Sequence, residues 1–83
     1  MEDKSRIALI GIIVETPESI DKMNTLLSQF GEHIVGRMGI PYRQKDISVI
    51  SVVVDAPQNI ISSLSGKLGM LKGITTKTMY STK

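Results

Sequence analysis

The chain is predicted to fold as an α+β sandwich of βαββαβ order, with a four-stranded antiparallel sheet of strand order 4-1-3-2 and both helices on one face. Three observations predict it. Two runs, Arg6–Val14 (RIALIGIIV) and Ile47–Val54 (ISVISVVV), are rich in β-branched residues and apolar on both alternations, as central strands are. Two others, Glu32–Met38 and Ile74–Ser81, are glycine-broken or polar at alternate positions, which suits sheet edges. Between the strands lie two stretches whose apolar residues recur at spacings of three and four, the period of one helix face.

The first strand carries Ile7, Leu9 and Ile13 on one face and Ala8, Ile10, Ile12 and Val14 on the other. A strand apolar on both faces is expected to be central and covered twice. Gly11 is a candidate bulge that would shift its register. Thr16-Pro17-Glu18 opens the first helix, with Thr16 as cap, proline at the first position and Glu18 and Asp21 at the positive end. Ile20, Met23, Leu27 and Phe30 form its stripe, and Gly31 stops it. The second strand is broken by Gly36 and ended by Gly39-Ile40-Pro41; a connection over Pro41–Asp46 leads to the third. Asp55-Ala56-Pro57 opens the second helix, lined by Ile60, Ile61, Leu64, Leu68 and Leu71 and ended at Gly69 or Gly73. With right-handed crossovers this order gives a ferredoxin-like split βαβ sheet. Its first and third strands are expected to be adjacent and parallel. Residues 1–5 precede the first strand and are expected to be flexible.

Eighty-three residues make one domain, 1–83, and one small core. Apolar residues at 41% and charged residues at 22% are globular proportions, which argues against a disordered tail. The absence of cysteine excludes disulfides, thiolate metal sites and cysteine nucleophiles, and suits a reducing cytoplasm. The apolar run Ile7–Val14 is too short to span a bilayer and lacks both the basic lead and the cleavage site of a signal peptide. No membrane association is expected. Net charge is only +2, but it is unevenly spread. All eight acids lie at or before Asp55, whereas Lys67, Lys72, Lys77 and Lys83 follow it with no acid among them. Scattered lysines of this kind read first as a solvated basic end and second as a surface for an anionic partner.

Catalytic constellations are missing. His33 is the only histidine, so no His–His metal pair exists, and the carboxylates sit mostly where helix starts and loops account for them. No cofactor, no metal and no enzymatic activity are expected. Ser65-Gly66-Lys67 has the ending of a phosphate loop but not the upstream glycine, the Ser/Thr after lysine or the strand before it. The most unusual stretch is Gly36-Arg37-Met38-Gly39-Ile40-Pro41-Tyr42-Arg43, where two arginines and a tyrosine stand among glycines and a proline. Such residues serve a shaped hairpin or, through the guanidinium fork, an anion or partner contact.

GRMGIPYR, SVISVVVDAP and LSGKLGMLKGITTKTMYS together resemble the iron-only hydrogenase system regulators, over about Arg6 to Ser81. The most specific segment is LSGKLG followed by Gly-Ile-Thr-Thr-Lys-Thr. The resemblance implies a fold similar to ACT domains and to the C-terminal regulatory domain of the nickel-responsive repressor, and a role in regulating hydrogenase synthesis or maturation. The repressor's metal ligands are histidines and a cysteine; one histidine and no cysteine here mean that nickel sensing does not carry over. With five residues before the first strand, direct DNA binding is not expected either. ACT domains often bind small effectors near the first strand–helix loop, which is Val14–Glu18 here and lacks the glycine such sites favour.

The leading expectation is a cytoplasmic, ACT-like regulatory or interaction module. It would assemble as a homodimer or higher homo-oligomer and bind a small-molecule effector or a hydrogenase-system protein. A structural or maturation accessory without ligand is the alternative. A nucleic-acid binder ranks third, because only Phe30, Tyr42 and Tyr80 are aromatic. Arg37, Tyr42, Arg43 and Lys67 are the candidate contacts for an effector or anionic partner. Self-association is expected through the sheet face opposite the helices, an edge strand, or both, because two helices cover only one face of a sheet whose central strands are apolar on both.

Overall fold

The computed structural model describes residues 4–82. Strand β1 is Ser5–Val14; a 3₁₀ turn, Pro17–Ser19, leads into helix α1, Ile20–Gln29. A second 3₁₀ turn, Gly31–His33, precedes β2, Ile34–Tyr42, and a third, Arg43–Lys45, joins it to β3, Ile47–Pro57. Helix α2, Gln58–Gly69, and β4, Ile74–Tyr80, complete the βαββαβ order. The sheet order is β2-β3-β1-β4, which is 4-1-3-2 read from the other edge. The two most apolar strands are the central pair, and the fold is the ferredoxin-like one.

Their relative direction differs from expectation. β1 and β3 are adjacent but antiparallel, with Leu9 opposite Val53 and Ile13 opposite Val49. Helix α1 returns the chain so that β2 runs with β1, and the β2–β3 hairpin then reverses it. β3, inserted between them, therefore opposes both.

The core lies on one side of the sheet. Ala8, Ile10, Ile12 and Val14 of β1 and Ile50, Val52, Val54 and Ala56 of β3 meet Met23 and Leu27 of α1, Ile61, Leu64 and Leu68 of α2, and Ile74. These side chains come from alternate strand positions and from positions three and four apart on the helices, so the two periodicities converge on one layer. The other face of the central strands is not covered, contrary to the expectation of double burial. The register from Ser5–Pro57 to Val14–Ser48 is unbroken, so Gly11 makes no bulge. The irregularity lies between Ile34 and Gly36 on β2.

Several boundaries shift for local reasons. β2 begins at Ile34, because Gly31–His33 forms a 3₁₀ turn, and His33 is therefore not in the strand. It runs through Gly39 and Pro41 to Tyr42, as an edge strand can, since its outer side leaves groups unpaired in any case. β3 extends to Pro57, which faces Ser5, so α2 starts at Gln58 rather than at Asp55. Thr16 makes no side-chain cap; its carbonyl accepts from the Ser19 N–H within the 3₁₀ turn at 3.0 Å. Ser5 already belongs to β1, while the expected flexibility of residues 1–3 lies outside the described residues. Helix α2 ends at Gly69, and Gly73, at φ 72°, turns the chain into β4.

Candidate functional site

Two surfaces stand out. The first is the open face of the sheet. Alternation turns Ile7, Leu9, Gly11 and Ile13 of β1 away from the helices, and the pairing sets Val53, Ser51 and Val49 beside Leu9, Gly11 and Ile13. Met79 and Lys77 flank Leu9 and Gly11 from β4, while Met38 and Ile40 flank Ser51 and Val49 from β2. Ile7, Leu9, Ile13 and Val49 keep 45, 39, 41 and 40% of their surface exposed, and Met79 keeps 67%. The result is one contiguous apolar face spread over all four strands, the kind of exposed patch that marks an interaction surface. Gly11 and Ser51 form a low saddle across its middle, and Lys77 stands at one end of that row.

The second surface runs between α1 and the β2–β3 hairpin. Every residue of β2 after Ile34 is exposed: Met38 and Ile40 lie on the open face, and α1 does not reach across the positions that alternate with them. Two adjoining hollows of about 220 Å³ each result, sharing Ile20, Pro41 and Ser48. One lies against the loop after β1 and is lined by Val14, Pro17, Tyr42, Arg43, Asp46 and Ile47 besides the shared three. The Tyr42 hydroxyl donates to Gln44 Oε1 at 2.8 Å, and Asp46 holds the left-handed conformation that closes the turn, φ 56° and ψ 39°. The other hollow has Met23, Asn24, Arg37, Gly39, Ile40 and Ile50. Arg37 Nη2 donates to Asn24 Oδ1 at 3.1 Å.

A clasp holds the wall formed by the β1–α1 loop. The Glu15 N–H donates to the Gly73 carbonyl at 2.8 Å, and the buried Ser19 hydroxyl donates to the Lys72 carbonyl at 2.6 Å. Lys72 Nζ lies 3.6 Å from Glu18 Oε2. Gly73 has no room for a side chain, since a Cβ there would lie 2.1 Å from Thr16 Oγ1.

Of the four candidate residues, the structure brings Arg37, Tyr42 and Arg43 to these adjoining hollows. Lys67 lines neither; its Nζ lies 5.7 Å from the Phe30 ring centroid, beyond the far end of α1. Reading the sequence missed Asn24, whose helical position gave no hint that it would meet Arg37. It also missed Asp46, whose left-handed backbone was not signalled by a glycine. Among the basic residues of the C-terminal third, Lys72 pairs with Glu18 and Lys77 borders the open face. His33 Nε2 lies 3.4 Å from Glu32 Oε2. Among the described residues, no three of His, Cys, Asp and Glu gather as metal ligands, and no helix is long and apolar enough to cross a membrane.

Residues 6–78 match the family model described as "TM1266-like: Iron-only hydrogenase system regulator, putative". Among solved structures, the chain is similar to the uncharacterized protein TM1266 from Thermotoga maritima, with 32% identity and a TM-score of 0.89 over 93% of this chain and 98% of that one. It is also similar to the C-terminal domain of the MgtC protein from Mycobacterium tuberculosis, at 10% identity and a TM-score of 0.74 over 98% of this chain and 93% of that one. A formyltetrahydrofolate deformylase from Pseudomonas putida matches at 11% identity and a TM-score of 0.63, over 88% of this chain and 28% of that one. At such identities the last two share the fold alone. No curated protein matches the chain.

Proposed function

The chain belongs to the iron-only hydrogenase system regulator family, and from that premise we propose that it is a regulatory binding module of such a system, working as a homo-oligomer in the cytoplasm. The observation that carries the reading is the uncovered apolar face. Ile7, Leu9, Ile13, Val49 and Met79 lie side by side on it and cost free energy while they face water. A second copy covers them without any new chemistry, and a chain this small has little stability to spare. Two hollows rimmed by Arg37, Tyr42 and Arg43 support the second half of the reading, in which an effector or a partner of the hydrogenase system presents an anionic group there. Lys67 lines neither hollow. The ACT-like character of the module lies in this combination of self-association and ligand response.

Sedimentation equilibrium at micromolar concentration tests the assembly. Wild type is expected to run as a dimer or larger, and Leu9→Lys as a folded monomer with an unchanged circular dichroism spectrum. A wild-type monomer refutes self-association. Regulation is tested in cells that make an iron-only hydrogenase. Deleting the gene is expected to change hydrogenase activity or transcript level, with restoration by wild type and not by Leu9→Lys. Unaltered activity and transcript after deletion overturn the regulatory reading.

A further inference from the structure

The hollow beside Arg37 has a more specific chemistry than its neighbour. Its floor is apolar: Met23 and Ile50 are buried beneath it, and Ile20 and Pro41 wall it. Its one charge is the Arg37 guanidinium. Among the described residues the ion pairs are His33–Glu32 and Lys72–Glu18, so Arg37 has no carboxylate partner. Its hydrogen bond goes instead to Asn24 Oδ1, which leaves the Asn24 amide nitrogen as a second donor at the same rim. No acidic residue lines the hollow.

Gly39 adds an independent observation. Its φ is not positive, so its backbone does not demand glycine, and a Cβ there would meet only Ile50 Cγ1, at an ordinary 3.5 Å. Neither conformation nor packing demands glycine here, as is also true at Gly11, Gly31, Gly36, Gly66 and Gly69, and Gly39 is the one of these that lines the hollow. What the missing side chain does is leave open the hollow that Gly39 lines.

We infer that this hollow binds a small monocarboxylate with an apolar body and no ammonium group. The carboxylate would be held by the Arg37 fork and the Asn24 amide, and the body would lie on Met23 and Ile50 where Gly39 makes room. About 220 Å³ accommodates a branched chain of about four or five carbons. An α-amino acid is disfavoured, because its ammonium would lose water with no acid to receive it. This deepens the anionic-effector half of the proposed function and rests on it.

The probe is isovalerate, titrated into ¹⁵N-labelled protein and followed by amide shifts, with acetate, isovaleramide and leucine as comparisons. Isovalerate is expected to shift the Asn24, Gly39 and Ile40 amides with a Kd of about 1 mM or tighter. Acetate is expected to bind more weakly for want of a body, and the neutral amide and leucine not to bind. Arg37→Ala should weaken binding roughly 10- to 100-fold, Arg37→Lys by less, and Gly39→Val should abolish it while the protein stays folded. Shifts that persist in Arg37→Ala and Gly39→Val, or an amide that binds as well as the acid, overturn the inference. So does wild type that gives no shift with isovalerate. Because the sedimentation result does not involve this hollow, a failure here leaves self-association standing and removes only the ligand.

Discussion

Replacing Gly73 by alanine should destabilise the fold through two separate causes. Gly73 sits at φ 72°, where an L-residue costs roughly 1–2 kcal/mol. The new methyl would also lie 2.1 Å from Thr16 Oγ1, 2.6 Å from Thr16 Cβ and 3.1 Å from its backbone nitrogen. Relieving such a contact requires the β1–α1 loop to move, and overpacking of this kind costs about 1–3 kcal/mol. The expected loss is therefore about 2–5 kcal/mol, a large share of the roughly 4–12 kcal/mol typical of a chain this size. Guanidinium unfolding followed by circular dichroism measures it, and a melting point about 10 °C or more lower should accompany it. Thr16→Gly removes the Oγ1 and Cβ contacts but not the φ penalty. In a double-mutant cycle it should recover about 1–3 kcal/mol of the loss. If Gly73→Ala costs under about 1 kcal/mol, or if Thr16→Gly recovers nothing, the clasp between this loop and the α2–β4 turn does not constrain the chain as argued.

Two further predictions concern the same framework. Ser19→Ala removes the 2.6 Å hydrogen bond to the Lys72 carbonyl and leaves that acceptor without its partner, so urea titration should show a loss of about 1–3 kcal/mol. Leu68→Ala empties a fully buried position between α2 and the sheet; an equilibrium melt should report a loss of about 2–5 kcal/mol with no change in the sedimentation behaviour of the remaining folded protein.

Much of the architecture was legible because it rests on periodicities that survive any detail of packing. The strands at Arg6–Val14 and Ile47–Val54 announced themselves as central through apolar residues on both alternations, and the order of elements left one plausible sheet. Pairing direction was misread although the same order determines it: a helical return followed by a hairpin makes β3 oppose β1. The end of β2 falls later than expected because Gly39 and Pro41 do not stop an edge strand, and α2 starts later because Asp55-Ala56-Pro57, which has the look of a helix start, completes β3 instead. On an edge strand Pro41 forfeits no needed hydrogen bond, and Pro57 ends a strand whose partner, Ser5, lies 52 residues away.

The candidate site was legible in part. Arg37, Tyr42 and Arg43 drew notice as arginines and a tyrosine among turn residues, and β2 carries the first two along one strand with Arg43 just beyond. Asn24 could not be paired with Arg37 from sequence, because the distance between a helix and an edge strand depends on how far α1 extends across the sheet. The order of elements, the two central strands and the lack of thiol or histidine clusters are properties of the chain itself, since each depends on residue type and local period. Which alternation faced the helices, where the register broke and which cations met the hollows were decided only by tertiary packing. A strand apolar on both sides is equally content either way round until the helices choose a face.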